Sequence, residues 1–226
     1  MFSKFALLQK ILHKKGMIAT SMMHYLDKPA DPKLFELAPD YVRVMTVHLA
    51  KLEIDELDVQ GSCAEVGVFK GHFAAKINRA FPDRKLYLFD TFEGFSEKDA
   101  VVEREKNFSS ATQDFSETSI EAVLSIMPFQ SQCVVKQGWF PETFAGLEQE
   151  KFAFVSLDAD LYQPLLSGLE VFYPLMSPGG YILVHDYRNK HYPGAMQAVR
   201  EFCAKHHVGY TVLADICGTA VIRKPL

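Results

Sequence analysis

The segment AEVGVFKG at residues 64–71 decides the fold of this chain. It belongs to a short apolar run, residues 63–69, that holds one acidic residue and one glycine, and a second glycine precedes a helical pattern. A buried strand that turns through glycine into a helix opens a parallel β-α-β unit. The glycine spacing departs from G-x-G-x-x-G, so a dinucleotide pyrophosphate is less expected at this turn.

The same alternation of short apolar runs and longer helical patterns continues toward the C-terminus. The sequence predicts further parallel strands at residues 86–90, 133–135, 152–157 and 181–184, and helices at residues 72–80, 119–127, 142–148, 164–176 and 194–205. The segment Pro178-Gly179-Gly180 predicts a turn directly before the fifth strand. Two short alternating runs, residues 210–213 and 219–222, predict a terminal antiparallel pair. We therefore predict an α/β fold with a doubly wound, mostly parallel sheet of seven strands.

The first 60 residues have a different pattern from the rest. A basic amphipathic stretch at residues 5–15 is followed by a proline-punctuated segment and by helical spacing of apolar residues at 41–52. We predict a helical N-terminal cap over residues 1–60 and a ligand-binding domain over residues 61–226. An apolar N-terminal helix also favours a homo-oligomer.

Length and composition exclude several classes of protein. The chain has 226 residues, of which 48% are hydrophobic and 23% charged, as in ordinary globular domains. A net charge of −4 offers no basic surface to nucleic acid, so a small-molecule partner is expected. No run approaches the roughly 18 apolar residues of a membrane span, and no signal-peptide or C-x-x-C pattern occurs. We expect a cytoplasmic protein without a membrane partner.

Acidic residues end four of the five predicted parallel strands, at the edge where open α/β sheets bind ligands. Glu65 can attract a positive charge, and Asp90 follows Gly71 at the spacing typical of an acid that binds ribose hydroxyls. S-adenosylmethionine has both a positively charged end and a ribose, so it is a suitable ligand for these residues. The alternative is that Gly67 and Gly71 only form a tight turn and that Asp90 caps the next element.

Further candidate cofactor contacts follow the second and third predicted strands. They are Thr91, Gly138 and Trp139. Trp139, the single tryptophan of the chain, could lie against an adenine or could pack in the core, because large aromatic side chains do both.

The fourth and fifth predicted strands end in Asp158, Asp160, His185 and Asp186. Because adjacent parallel strands end side by side, these side chains are expected to converge. Such a cluster can hold a divalent cation that acidifies a substrate hydroxyl while a neighbouring carboxylate takes the proton. The alternative is ordinary capping of the neighbouring helix. The role of His191, which follows closely, is left open between acceptor contact and surface residue.

The order and spacing of six segments resemble the macrocin O-methyltransferase family, which methylates sugars in antibiotic pathways. The segments are AEVGVFKG (64–71), LFDTFEGF (88–95), GWFPETF (138–144), LDADLYQP (157–164), YPLMSPGGYILVHDY (173–187) and AVREF (198–202). The resemblance implies a class I, Rossmann-like fold and Mg²⁺-dependent methylation of a hydroxyl of a sugar or a glycosylated natural product, with S-adenosylmethionine as methyl donor.

The resemblance also implies roles for individual residues. Glu65, Gly67 and Gly71 would surround the methionine end of the cofactor, Asp90 would bind its ribose, and Asp158 would lie beside it. The metal ligands would be Asp158, His185 and Asp186, and the general base would be Asp160.

One residue departs from the pattern of this family. His185 stands where the family usually has Asp, and imidazole suits Mn²⁺, Zn²⁺ or Fe²⁺ better than Mg²⁺. His185 could also act as a catalytic base without a metal. A noncatalytic S-adenosylmethionine-binding protein therefore stays an alternative. An NAD-dependent dehydrogenase is less expected, because no tyrosine is followed by lysine in the Y-x-x-x-K spacing.

Overall fold

The predicted strands form one sheet in the computed structural model. The structure describes Leu12 and residues 30–35 and 40–226, so about half of the predicted cap, including all of the amphipathic stretch at 5–15 except Leu12, lies outside the described residues. The strands are β1 (Ser62–Val66), β2 (Leu86–Asp90), β3 (Cys133–Gln137), β4 (Phe152–Leu157), β5 (Met176–Val184), β6 (Thr211–Val212) and β7 (Ala220–Arg223). Their order is β3-β2-β1-β4-β5-β7-β6, which confirms the predicted fold class.

The strand order reverses at β1, which pairs in parallel with both β2 and β4. β3 and β5 extend the parallel part of the sheet, while β7 is antiparallel to β5 and β6 is antiparallel to β7. The gap between the carboxyl ends of β1 and β4 is therefore the switch point at which such sheets bind ligands.

Helices cover both faces of this sheet. The described helices are α1 (Tyr41–Glu56), α2 (His72–Ala80), α3 (Glu97–Glu105), α4 (Ile120–Ser125), α5 (Tyr162–Leu175) and α6 (Pro193–His206). On β4, Val155 and Leu157 belong to the buried cluster that includes α5 and α6. Phe154 instead contacts Phe81 at the end of α2, and Ser156 contacts α1. Alternate residues of one buried strand thus serve two layers, as the uninterrupted apolar sequence of β4 requires.

Helix α1 begins at a side-chain cap. The carboxylate of Asp40 accepts a hydrogen bond from the backbone N–H of Arg43 at 3.1 Å, and a second Asp40 oxygen accepts from the N–H of Ile216 at 2.8 Å. The buried face includes Val44, Val47 and other apolar residues at helical spacing. Asp40 therefore both starts the helix and ties it to the loop before β7. The division of the chain at residue 60 stays a prediction.

Two local predictions were wrong, and one helix was not predicted. Residues 142–148 form only a 3₁₀ turn, Glu142–Phe144, because Gly146 adopts a left-handed conformation. Helix α3 was missed because its charged sequence has no apolar stripe. Pro178-Gly179-Gly180 lies inside β5, where it bulges against β4 and the N–H of Gly179 bonds to Lys224. None of the described helices is long and apolar enough to cross a membrane.

Candidate active site

A cavity of about 540 Å³ opens at the switch point of the sheet. All but one of the residues that the sequence singled out as site residues line it: Glu65, Gly67, Asp90, Thr91, Gly138, Trp139, Asp158, Asp160, His185 and Asp186. The size is typical of pockets that enclose a small molecule.

The two glycines of the first loop have structural reasons to be glycine. Gly67 has a φ of +82°, and a Cβ there would lie 2.3 Å from the carbonyl oxygen of Asp158. Gly71 is not a lining residue of the cavity; a Cβ there would lie 2.9 Å from Val123 of α4. Gly67 lets the chain after β1 approach the chain after β4 closely beside the cavity. For Gly71, the left-handed turn and the contact with α4 are enough to explain why the residue is glycine. Their roles in cofactor binding stay predictions.

Asp90 organises the loops after β1 and β2. One carboxylate oxygen accepts hydrogen bonds from the N–H groups of Val68 and Phe69 at 2.6 and 2.8 Å, and the other accepts from Phe92 at 2.7 Å. An ionised carboxylate has about four acceptor positions, so at least one remains for a ligand hydroxyl. Asp90 thus holds the loops in place and still faces the cavity.

Glu65 is a buried carboxyl group that lines the cavity. Only 1% of the residue is exposed, and neither carboxyl oxygen has a hydrogen-bond partner among the described residues. Burial and the nearby charge of Asp158 raise its pKa well above the usual range, and the charge of Arg43 and the nearby Ser156 hydroxyl, which lies outside good hydrogen-bond geometry, only partly offset them. An unpartnered acid at this place is suited to a cationic ligand group.

Trp139 is half-buried at the cavity wall rather than enclosed in the core. Its indole N–H donates to Asp99 at 2.9 Å, and the ammonium of Lys98 lies 4.0 Å from a ring centroid. The other oxygen of Asp99 is buried without a partner among the described residues. Burial raises the pKa of Asp99 to about 6, although the Trp139 hydrogen bond opposes this. Sequence analysis missed Asp99, because it lies in the helix that had no apolar signal.

The four residues at the ends of β4 and β5 converge as predicted. His185 Nδ1 lies 2.9 Å from Asp158 Oδ1 and 2.8 Å from Asp186 Oδ2, and the amide of Asn189 donates to Asp186 Oδ1 at 2.7 Å. Asp160 and Asp186 both have a φ of +58°, an uncommon conformation that Asp tolerates and that is often found at functional sites.

The charges in this cluster shift its pKa values in opposite directions. Burial disfavours the ionised forms of Asp158 and Asp186, but the charge of His185, with Arg43 beside Asp158, outweighs burial and lowers both pKa values. Burial also opposes protonation of His185, yet the two carboxylates raise its pKa to about 10. Burial and the charges of Asp186 and Asp158 raise the pKa of Asp160 well above its usual range. These surroundings favour the ionised forms of Asp158 and Asp186 and the protonated form of His185, and they make Asp160 hold a proton more strongly than an ordinary carboxyl group.

Arg43 is the site residue that sequence analysis missed most clearly. Its guanidinium lies 2.9 Å from Asp158 Oδ2, 3.4 Å from Ser156 Oγ and 3.5 Å from the Phe73 ring centroid. The sequence offered one signal for Arg43, because it lies beside the apolar positions of a predicted helix. An arginine there is buried only when it has an acidic partner, so a buried ion pair could have been expected.

Two other polar residues, His191 and Cys217, follow or face the cluster, and only Cys217 lines the cavity. His191 is exposed and is not a lining residue of the cavity. Cys217 lines the cavity, and burial together with the charge of Asp186 raises the pKa of its thiol to about 12. Among the described residues, the set of potential metal-ligating atoms that lie within 4.8 Å of one another comprises His185, Asp186 and Cys217.

Comparison with known proteins identifies the family. The family model for macrocin O-methyltransferase (TylF) matches residues 40–224, which include the whole sheet and α1. The chain belongs to the macrocin O-methyltransferase family. The resemblance of the six sequence segments is thereby confirmed, and the chain is an O-methyltransferase.

Curated relatives of this family member are named as O-methyltransferases. A tetracenomycin 4'-O-methyltransferase of Streptomyces olivaceus, whose name gives a dimethoxyrhamnosyl compound as its substrate, is 28% identical and is matched over 85% of this chain and 79% of its own length. The mycinamicin III 3''-O-methyltransferase of Micromonospora griseorubida is also 28% identical, with 66% of this chain and 63% of the relative covered.

Solved structures of O-methyltransferases share the fold of this family member. NovP has a TM-score of 0.67 at 24% identity, with 81% of this chain and 80% of NovP covered. The calicheamicin methyltransferase CalS11 has a TM-score of 0.63 at 22% identity, with 80% and 78% covered. At these identities the likeness supports the class I fold alone.

Proposed function

We propose that this protein transfers a methyl group from S-adenosylmethionine to a hydroxyl group of a sugar or of a glycosylated small molecule. The observation that carries the proposal is that one cavity contains both the unpartnered Glu65 carboxyl group and the acidic cluster at the ends of β4 and β5. The substrates in the names of the curated relatives support a sugar-containing acceptor.

The half of the cavity beside β1, β2 and β3 suits the methyl donor. Glu65 would attract the ammonium group of the methionine moiety, and the free acceptor position of Asp90 would take a ribose hydroxyl. The unpartnered oxygen of Asp99 can accept from an exocyclic amine, with the adenine lying against Trp139. S-adenosylmethionine supplies an electrophilic methyl group on a sulfonium ion.

The other half of the cavity suits the acceptor and the proton transfer. Phe95 packs edge to face against Phe115 and Tyr192, and the Tyr192 hydroxyl donates to Gln113 at 2.6 Å. This wall combines aromatic faces with polar groups, as sites for small molecules do.

Asp160 is the proposed general base. The raised pKa means that Asp160 must first release its own proton to solvent, after which its carboxylate is a stronger base toward a substrate hydroxyl than the neighbouring carboxylates. As the carbon–oxygen bond forms and the carbon–sulfur bond breaks, the hydroxyl proton passes to the Asp160 carboxylate. His185 is then a fixed positive charge held by Asp158 and Asp186 rather than the base.

A divalent cation at Asp158, His185 and Asp186 stays a prediction from the family resemblance, and the donor atoms fit it poorly in their present arrangement. Each oxygen of Asp158 already lies 2.9 Å from a basic side chain, Arg43 or His185, so a divalent cation would have to compete with one of them. No step of the proposed mechanism therefore uses a metal. A homo-oligomer and a cytoplasmic location also stay predictions.

Support for catalysis over binding alone comes from the position of the acids. Asp158, Asp160 and His185 are only partly buried and line the cavity that holds the proposed donor site. Ionisable groups with perturbed pKa values cluster at catalytic sites, and here they border the proposed donor site.

The proposal is tested by assaying methyl transfer to a panel of nucleotide-linked and natural-product-linked sugars, with S-adenosylhomocysteine and the methylated sugar as readouts. Asp160→Asn, which tolerates the left-handed backbone, should lower the rate by about 10²- to 10⁴-fold without changing S-adenosylmethionine affinity. Asp114→Asn, on an exposed loop, is the matched control. Full activity of Asp160→Asn on an accepted sugar would contradict the assignment of the base.

A further inference from the structure

The acidic cluster at the ends of β4 and β5 is already in contact with two basic side chains. The Arg43 guanidinium lies 2.9 Å from one oxygen of Asp158, and the imidazole of His185 lies 2.9 Å from the other. The same imidazole lies 2.8 Å from Asp186. Asp158, which the family resemblance assigns to a metal, therefore already has a guanidinium partner from the chain itself, and both carboxylates contact the His185 imidazole.

Burial, ring stacking and the start of α1 place Arg43 in this position. Only 7% of the residue is exposed, and its guanidinium stacks over the Phe73 ring at 3.5 Å from the centroid. Asp40 caps the first turn of α1 through the Arg43 backbone N–H, which fixes where the side chain leaves the helix. Because arginine does not lose its proton in proteins, this positive charge is permanent.

A divalent cation would have to compete with this guanidinium for Asp158. Displacement would leave a buried guanidinium without its counter-ion, which is strongly unfavourable. Addition without displacement would place two further positive charges beside Arg43. Both routes disfavour metal binding at this end of the sheet.

We propose that Arg43 takes the place of a divalent cation beside Asp158, so that the acidic cluster of this chain works without a metal. The guanidinium is a positioning residue: it holds the Asp158 carboxylate and keeps a fixed positive charge at the wall where the acceptor hydroxyl loses its proton. The role of Arg43 in positioning groups for proton transfer rests on the proposed function. The expectation of weak metal binding follows from the ion pair alone and does not depend on that function.

The test measures binding of Mn²⁺ alone to the full chain by electron paramagnetic resonance of the free ion. Arg43→Met removes the charge and keeps most of the side-chain stem, and Arg43→Lys keeps a charge. Arg104→Met is the matched control, because Arg104 is an exposed residue of α3 and pairs with Glu97 away from the cluster. We expect weak Mn²⁺ binding in wild type, Arg43→Lys and Arg104→Met, and binding at least about tenfold tighter in Arg43→Met, since like charges no longer oppose it.

Two results would overturn the proposal. One is tight Mn²⁺ binding by wild type that Asp158→Ala abolishes, and the other is no gain of affinity in folded Arg43→Met. If Arg43→Met fails to fold, thermal melts of wild type decide: Mn²⁺ and EDTA should give the same melting temperature, and a rise with Mn²⁺ that EDTA reverses would refute the proposal.

The same samples are also titrated with S-adenosylmethionine. If wild type binds neither S-adenosylmethionine nor Mn²⁺ tightly, only the proposed function is refuted. If wild type binds both tightly, only the proposed role of Arg43 is refuted.

Discussion

The Arg43 guanidinium lies 2.9 Å from the Asp158 carboxylate, although the two residues are 115 positions apart in the chain. Arg43 comes from α1, ahead of the sheet, and Asp158 follows β4 at the switch point. The helix before the sheet therefore contributes a charge to the candidate active site. A change in α1 should consequently alter the chemistry of the cavity as well as stability.

The chain segments that follow β1 and β4 approach closely at Gly67, so any side chain added there should strongly lower the free energy of unfolding. In Gly67→Ala the added Cβ would lie 2.3 Å from the Asp158 carbonyl oxygen, so the free energy of unfolding should fall by about 3 kcal/mol or more. Gly146→Ala is the control, since Gly146 has a similar φ of +87° and open space around it, and should cost only about 1 kcal/mol. Urea denaturation measures both; equal losses would show that the close approach is unimportant.

The three backbone hydrogen bonds to Asp90 predict a structural role beside any cofactor contact. Asp90→Ala should lower the free energy of unfolding by about 3 kcal/mol, because three loop N–H groups lose their acceptor, and Asp90→Asn should cost less. Asp114→Ala removes an exposed carboxylate that accepts from Ser116 and should cost under about 1 kcal/mol. Chemical denaturation distinguishes them, and an Asp90→Ala variant as stable as wild type would contradict the role.

The raised pKa of Asp99 predicts a specific pH dependence of stability. Since the folded state holds the proton up to about pH 6 and the unfolded state releases it near 3.8, the unfolding free energy of wild type should fall between those values as pH rises. Asp99→Asn keeps an acceptor for Trp139 and cannot ionise, so it lacks this pH dependence. The free energy of unfolding of the variant should therefore rise relative to that of wild type by up to about 3 kcal/mol between pH 4 and pH 7. Denaturation at several pH values, followed by circular dichroism, provides the check. A constant difference would argue against the raised pKa.

Burial of Glu65 predicts that cation binding is coupled to release of a proton. The ionised form is the one that attracts a cation, and its pKa is raised, so S-adenosylmethionine affinity of wild type should increase with pH. Glu65→Gln should fold normally, bind at least roughly tenfold more weakly at high pH and show a flat pH profile. Titrations followed by the fluorescence of Trp139 measure this, with exposed Glu148→Gln as control. An unchanged affinity in Glu65→Gln would remove Glu65 from the site.

Most of the fold was predictable because its signals are local. The apolar run of β4 and the helical spacing of residues 72–80 each predict their element directly, and α2 occupies the predicted range, His72–Ala80. Helix α3 was not predictable, since its stability comes from contacts with α5 rather than from an apolar stripe of its own. The bulge in β5 depends on pairing with two neighbouring strands, which no local pattern encodes.

The candidate site was predictable where strand ends determine position. Asp158, Asp160, His185 and Asp186 converge because parallel neighbours end together. Arg43 and Asp99 reach the cavity from helices whose placement depends on tertiary packing, so sequence spacing could not bring them to it. The pairing of Asp158 with Arg43 also changes the expected chemistry, because it supplies a cation where the family resemblance implied a metal.

The most direct test of the central claim is a thermal melt of the wild-type chain with S-adenosylmethionine, together with a fluorescence titration of Trp139. At 100 times its dissociation constant, a ligand stabilises the native state by about 2.7 kcal/mol, which raises the melting temperature by roughly 5 to 10 °C for a chain of this size. We predict such a rise, a saturable change in Trp139 fluorescence, and a smaller effect of both kinds in Glu65→Gln. No rise and no fluorescence change at millimolar S-adenosylmethionine would contradict the account.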